Sequence, residues 1–103
     1  YSDRDVLNLD YFIAKKIQKP LHAYVKHQED GGMSLPNEFA SNPTEWLITL
    51  SKIKFSFDQK IIDRENAYNP ILKGMTDEER DVHYKKIDEG FELFGKFFLN
   101  LYD

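Results

Sequence analysis

Apolar side chains recur every three or four residues in three stretches of the chain, which is the spacing of an amphipathic α-helix. We predict helices over residues 9–27, 43–67 and 77–101, preceded by a polar lead-in over residues 1–8. No stretch keeps the alternation of apolar and polar residues that a half-buried strand would show. The pattern therefore predicts an all-α, three-helix bundle-like domain formed by residues 9–103.

The first helix contains a proline. Its predicted apolar stripe consists of Leu9, Ile13, Ile17, Leu21, Tyr24 and Val25. Pro20 removes one helical hydrogen bond, but the stripe keeps its phase on both sides, so we predict a kink rather than a break. A long first loop follows over residues 28–43. Its apolar residues are expected to fold back onto the core; they are Met33, Leu35 and Phe39.

The second and third helices carry clear start signals. Asn42 can cap the second helix before Pro43, and Thr76 with Glu79 forms the pattern of a capping box for the third. The predicted core face of the second helix comprises Trp46, Leu47, Leu50, Ile53, Phe57, Ile61 and Ile62. That of the third comprises Ile87, Phe91, Phe94, Phe98 and Leu101. Gly90 and Gly95 are unfavourable inside a helix, which predicts that a neighbouring backbone or ring approaches both closely.

Composition narrows the function classes. The 103 residues suffice for one domain, and the absence of cysteine excludes disulfides and thiolate chemistry. The net charge is −4, and the chain lacks the clustered Lys and Arg that binding to a nucleic-acid backbone requires. No apolar run reaches the ~20 residues of a membrane span. We therefore predict a cytoplasmic protein that binds neither nucleic acid nor membrane, and we expect residues before Tyr1 in the native chain.

Side chains able to do chemistry are present but scattered. Glu79 and His83 share a helix face, and we interpret them as a surface pair rather than as half of a metal site. His22 and His27 have no obvious partner in the sequence. The carboxylate pairs lie among Lys and Arg residues and are typical of solvated helix faces. The prediction is a protein with no catalytic, cofactor-binding or metal site, so that binding is favoured over catalysis.

Aromatic residues near the C-terminus exceed what one helix face can hold. Part of this excess belongs in a core that is approached from two directions, and the rest could form an exposed patch, the mark of an interaction site. The candidate partner surface consists of Leu35, Trp46, Phe97 and Tyr102. All four are equally candidates for the core.

Two segments resemble a group of small, mostly uncharacterised phage-encoded proteins. The first segment is Trp46–Ile53 followed by Phe57, and the second is Lys86–Phe98 closing at Leu101-Tyr102-Asp103. In that group a Trp-led amphipathic helix precedes a variable acidic segment, and a Lys-Ile-x-Glu-Gly-Leu-x-Leu-Phe helix then ends in Leu-Trp-Asp. Here Phe91 replaces the usual leucine and Tyr102 the usual tryptophan. The match covers about half of the chain and implies that Asp103 is the natural C-terminus, but it says almost nothing about activity.

Two hypotheses of function follow from this resemblance and from the absence of a catalytic pattern. The first is a small phage protein that binds a host protein, a defence component or a small ligand inside the infected cell. The alternative is a structural or assembly component of the virion that acts through self-association. A small hydrolase or metal enzyme is the third and least favoured hypothesis.

Overall fold

Three long helices and one short helix dominate the computed structural model, which describes residues 3–32, 35–66 and 72–101. The helices are α1 (Asp3–Leu7), α2 (Leu9–Glu29), α3 (Pro43–Glu65) and α4 (Asp77–Phe97). Short 3-10 helices occupy Asn37–Phe39 and Phe98–Asn100. No strand occurs in the described ranges, and the all-α, three-helix bundle-like fold is confirmed. The short α1 lies within the segment that the sequence predicted to be a polar lead-in.

The helix starts follow the capping pattern read from the sequence. The side chain of Asn42 accepts a hydrogen bond from the Glu45 amide at 3.3 Å, and Pro43 opens α3. At α4 the Glu79 amide donates to Thr76 Oγ1 at 3.2 Å, and the Thr76 amide donates to Glu79 Oε1 at 3.4 Å. Each cap satisfies amides that a helix start leaves without an intrahelical partner.

The first long helix continues through its proline. α2 runs without interruption across Pro20, so the sequence was right to expect no break there. Its C-terminal end is followed by Gly31 at φ +106°, a left-handed conformation that glycine adopts at little cost.

The central element is α3. Tyr11 near the start of α2 contacts Glu65 at the end of α3, so these helices are antiparallel. Trp46 at the start of α3 contacts Phe97 at the end of α4, and Phe55 farther along α3 contacts His83 nearer the start of α4, so these two helices are antiparallel as well. Among the described residues, no Cα atoms of α2 and α4 come within 8 Å of one another. α2 and α4 therefore pack mainly against α3 rather than against each other.

The core is built around the middle of α3. Its buried apolar residues are Ala14, Leu21, Val25, Trp46, Leu50, Ile53, Phe57, Ile61 and Phe97. Burying a large apolar side chain contributes about 1.5–3 kcal/mol. Most of the predicted face of α3 is confirmed, but the predicted stripe of α2 is wrong at its start: Leu9 and Ile13 are exposed, and Ala14 is buried instead. Polar contacts of Asp10 and Tyr11 with α3 turn the other side of this first part of α2 outward.

The C-terminal part of α4 also presents a different face from the predicted one. Phe97 is 4% exposed, whereas Phe98, which the sequence placed in the core, is 57% exposed. The ring of Phe97 lies 5.6 Å from that of Trp46 and 5.4 Å from that of Phe39, between ring centroids. Phe39 belongs to the first loop, so this loop folds back onto the core and fixes which aromatic residue of α4 is buried.

The two glycines of α4 differ in their surroundings. A Cβ atom at Gly90 would collide with Ser56 Oγ and with the carbonyl oxygen of Lys52, which confirms the close approach predicted there. A Cβ atom at Gly95 would meet nothing within 4 Å, and the prediction for that position is wrong.

Candidate functional site

An open groove of about 1120 Å³ runs between α3 and α4, and no residue of α2 lines it. Its apolar lining consists of Leu47, Ile48, Phe55, Met75 and Val82. Small-molecule pockets commonly have volumes of about 300–1,000 Å³, so the groove lies just above that range. It is also elongated, because its lining along α3 extends from Thr44 to Gln59, about 22 Å at the rise of an α-helix.

The groove leaves apolar surface in contact with water. Ile48 on α3 and Val82 on α4 both line it, and each is about half exposed. Phe55 lies two turns beyond Ile48 on α3, where its partly buried ring contacts His83, the neighbour of Val82. An apolar strip between two helices is the type of surface that accepts another apolar element.

Two polar side chains in the groove lining are more than nine-tenths buried. Neither Nε2 of His83 nor Oε1 of Gln59 has a hydrogen-bonding partner among the described residues. The His83 ring packs edge-on against Phe55 and Tyr84, with both centroid distances at 5.7 Å. A buried polar atom without a partner costs about 1–3 kcal/mol. Gln28 Nε2 and Trp46 Nε1 are likewise buried without a partner among the described residues, and neither residue lines the groove.

Charged residues lie along the rim. Lys52 Nζ and Glu89 Oε1 are 2.8 Å apart and join α3 to α4 part-way along the groove. Glu78 and Glu79 lie at one end of the groove, in the first turn of α4. Glu79 is held by the capping box, and Glu78 forms no ion pair within the described residues. The end formed by the start of α4 is consequently acidic.

The structure describes three of the four residues that the sequence suggested as a partner surface. Trp46 is fully buried and Phe97 almost so, which corrects their assignment to a partner surface and makes both core residues. Leu35 is partly buried and packs against the core. Tyr102 lies outside the described residues. Leu35, Trp46 and Phe97 do not line the groove, and the candidate site lies on the outer faces of α3 and α4 instead of at the aromatic cluster.

The histidines are also placed differently from the expectation. His83 is buried, and Glu79 is engaged with Thr76, so the predicted surface pair of these residues is wrong. His22 has a partner after all, because its Nε2 lies 2.7 Å from Oδ1 of Asp58 on α3. Gln18 Nε2 donates to the same oxygen at 3.1 Å. This cluster joins α2 to α3. Among the described residues no group of three His, Asp or Glu side chains could hold a metal ion.

A second polar cluster joins the start of α2 to the end of α3. Asp10 Oδ2 lies 2.7 Å from Lys60 Nζ and 2.8 Å from an Arg64 guanidinium nitrogen. The hydrogen bond from Lys60, with smaller contributions from the Tyr11 amide and Arg64, lowers the pKa of Asp10 from 3.8 to about 2. The Tyr11 hydroxyl donates to Glu65 at 2.8 Å, which raises the pKa of Tyr11 and lowers that of Glu65. The cluster fixes the orientation of α2 on α3.

The residues that line the groove are not distinguished by the helical pattern of the sequence. Ile48, Phe55 and Val82 are apolar positions that fall off the main stripes of their helices, or at their margin. Gln59 and His83 look like ordinary polar residues until their burial is known. Only the packing of α4 on α3 brings these residues together.

Comparison of the chain with protein-family models, with curated proteins and with solved structures found no match. Within the part of the chain that the structure describes, no helix combines the length and apolar character needed to cross a bilayer.

Proposed function

We propose that this protein acts by non-catalytic binding to a protein partner and that the groove between α3 and α4 is its binding site. The observation that carries the proposal is the open apolar strip that Ile48, Phe55 and Val82 form between the two helices. The groove lining also includes His83 and Gln59, each with a buried polar atom that has no partner among the described residues. Apolar contacts supply affinity, and a few placed polar groups supply specificity.

The resemblance to small phage proteins gives this binding its setting. The proposal places the protein in the cytoplasm of an infected bacterial host, where the partner is a host protein or a defence component. A small ligand is the lesser candidate, since the length of the groove favours an extended element such as a helix.

Self-association as a virion structural or assembly component is the alternative function. The exposed apolar residues at the start of α2, Leu9 and Ile13, favour it, because they form a second apolar surface outside the groove.

The proposal is tested by differential capture and by an apolar dye. Val82→Asp places a charge in the groove, and Leu99→Asp is the matched control, because Leu99 is 85% exposed and does not line the groove. We expect a partner captured from host lysate by the wild type and by Leu99→Asp to be absent with Val82→Asp. The dye 8-anilinonaphthalene-1-sulfonate should likewise bind to the wild type and to Leu99→Asp, and more weakly to Val82→Asp. Equal capture and equal dye binding by all three proteins would contradict the proposal.

A further inference from the structure

The start of α2 carries an apolar face that nothing in the described part of the chain covers. Leu9 is 52% exposed and Ile13 is 43% exposed, and they are one helical turn apart. Lys16 follows on the same face, since positions i, i+4 and i+7 lie together on an α-helix. We call Leu9, Ile13 and Lys16 the α2 stripe.

The orientation of the α2 stripe is fixed by the polar cluster on the other side of the helix. Asp10 is held by Lys60 and Arg64, and Tyr11 is held by Glu65. These contacts direct one side of α2 toward α3 and leave the stripe facing away. The stripe is therefore a presented surface and does not result from a loose helix end.

The α2 stripe and the groove complement one another in polarity and charge. The stripe offers two branched apolar side chains, and the groove offers Val82, which is similarly exposed, and the partly buried Phe55, whose ring contacts His83 next to Val82. Lys16 forms no ion pair among the described residues and follows the apolar pair by one turn. Glu78 lies at the acidic end of the groove and is equally without an ion pair there.

We infer that the groove accepts the α2 stripe of a second copy of this chain, with Leu9 and Ile13 against Phe55 and Val82 and with Lys16 beside Glu78. The inference rests on the proposed function of the groove as a binding site, and it names one occupant. Both surfaces belong to one chain but are different patches. Exchanged reciprocally between two chains, the contact closes an isologous two-fold dimer; repeated head to tail, it is heterologous and adds further chains. A partner protein competes with it for the groove.

Sedimentation equilibrium tests the association. We expect the average mass of the wild type to rise above 12.2 kDa with increasing concentration. Leu9→Asp and Val82→Asp should each weaken association by tenfold or more, about 1.4 kcal/mol. Leu99→Asp should associate like the wild type. A wild type that stays monomeric up to about 1 mM, the weak end of measurable affinity, would overturn the inference.

Mixing the two variants distinguishes this contact from other modes of self-association. Leu9→Asp retains an intact groove, and Val82→Asp retains an intact stripe. An equimolar mixture should therefore associate although neither variant does so alone. A mixture that stays as monomeric as each variant alone would overturn the inference. Association of Leu9→Asp alone would mean a groove-to-groove contact, association of Val82→Asp alone a stripe-to-stripe contact, and either would overturn it as well. Circular dichroism checks that both variants are folded, and Ile13→Asp and Glu78→Lys replace them if they are not.

The same variants keep this inference separate from the proposed function. If Leu9→Asp still binds a partner or the dye while the wild type is monomeric, the groove is a binding site and only the second copy is excluded. If Val82→Asp changes neither association nor partner binding, both ideas fail.

Discussion

The Oγ atom of Ser56 donates a 2.6 Å hydrogen bond to the carbonyl oxygen of Ile87 and thereby joins α3 to α4. Ser56 is fully buried, and Gly90 lies directly beside it on α4. The hydrogen bond requires the two helices to approach closely, and the missing side chain at position 90 permits this approach. The same crossing sets the distance between the walls of the groove.

Gly90→Ala should destabilise the protein. The added methyl group would collide with Ser56 Oγ and with the Lys52 carbonyl, so α4 would have to move away from α3. Overpacking of this kind costs about 1–3 kcal/mol. Urea denaturation followed by circular dichroism would show the loss as a lower midpoint.

Gly95→Ala is the matched control on the same helix. Nothing lies within 4 Å of the new Cβ atom, so only the helix propensity changes. Alanine is favoured over glycine inside a helix by about 0.5–1 kcal/mol, and the variant should be more stable than the wild type. If both substitutions stabilised the protein equally, the crossing at Gly90 would not be tight.

Phe97→Ala and Phe98→Ala should differ strongly although the residues are neighbours. The ring of Phe97 packs against Phe39 and Trp46, and its removal should cost about 3–5 kcal/mol. Phe98 is mostly exposed, and its removal should cost less than about 1 kcal/mol. Thermal unfolding of both variants measures the contrast. Equal losses would mean that the face of α4 is assigned wrongly.

The sequence predicted the helices because local signals determine them. The capping box of Thr76 with Glu79 and the cap at Asn42 depend on residues three positions apart, and the face of α3 is buried from both sides. The starts of these helices could therefore be read without knowledge of the fold.

The faces of α2 and α4 could not be read in the same way. Which of Phe97 and Phe98 is buried depends on Phe39, more than fifty residues earlier in the chain. The outward position of Leu9 and Ile13 depends on ion pairs between Asp10 and residues at the end of α3. The groove arises from such pairings between distant residues, which is why its residues were not among the sequence-based candidates.

Gln59→Met should stabilise the protein and weaken binding in the groove. The substitution removes an unpartnered buried oxygen while keeping an unbranched side chain in the helix, and the gain should be about 1 kcal/mol. Chemical denaturation measures the gain, and dye titration measures the binding.

Gln28→Met provides the control for this pair of effects. Gln28 is also buried with an unpartnered polar atom, its Nε2, but it does not line the groove. The Gln28→Met variant should be more stable than the wild type and should bind the dye unchanged. If Gln59→Met bound the dye as well as Gln28→Met does, the polar atom of Gln59 would have no part in the site.

The ion pairs of Asp10 should make a pH-dependent contribution to stability. The folded-state pKa of about 2 is below the ordinary value of 3.8, so the contribution is present above about pH 4 and is lost as the pH falls toward 2. Asp10 is nearly half exposed, and solvent screening limits the contribution to below about 1 kcal/mol. Asp10→Asn should therefore be less stable than the wild type near neutral pH, and the difference in unfolding free energy should shrink in that acidic window. Lys60→Gln removes the largest cause of the lowered pKa, so adding Asp10→Asn to it should have a smaller effect. A difference that stays constant from neutral pH down to the acid limit of folding would contradict this account.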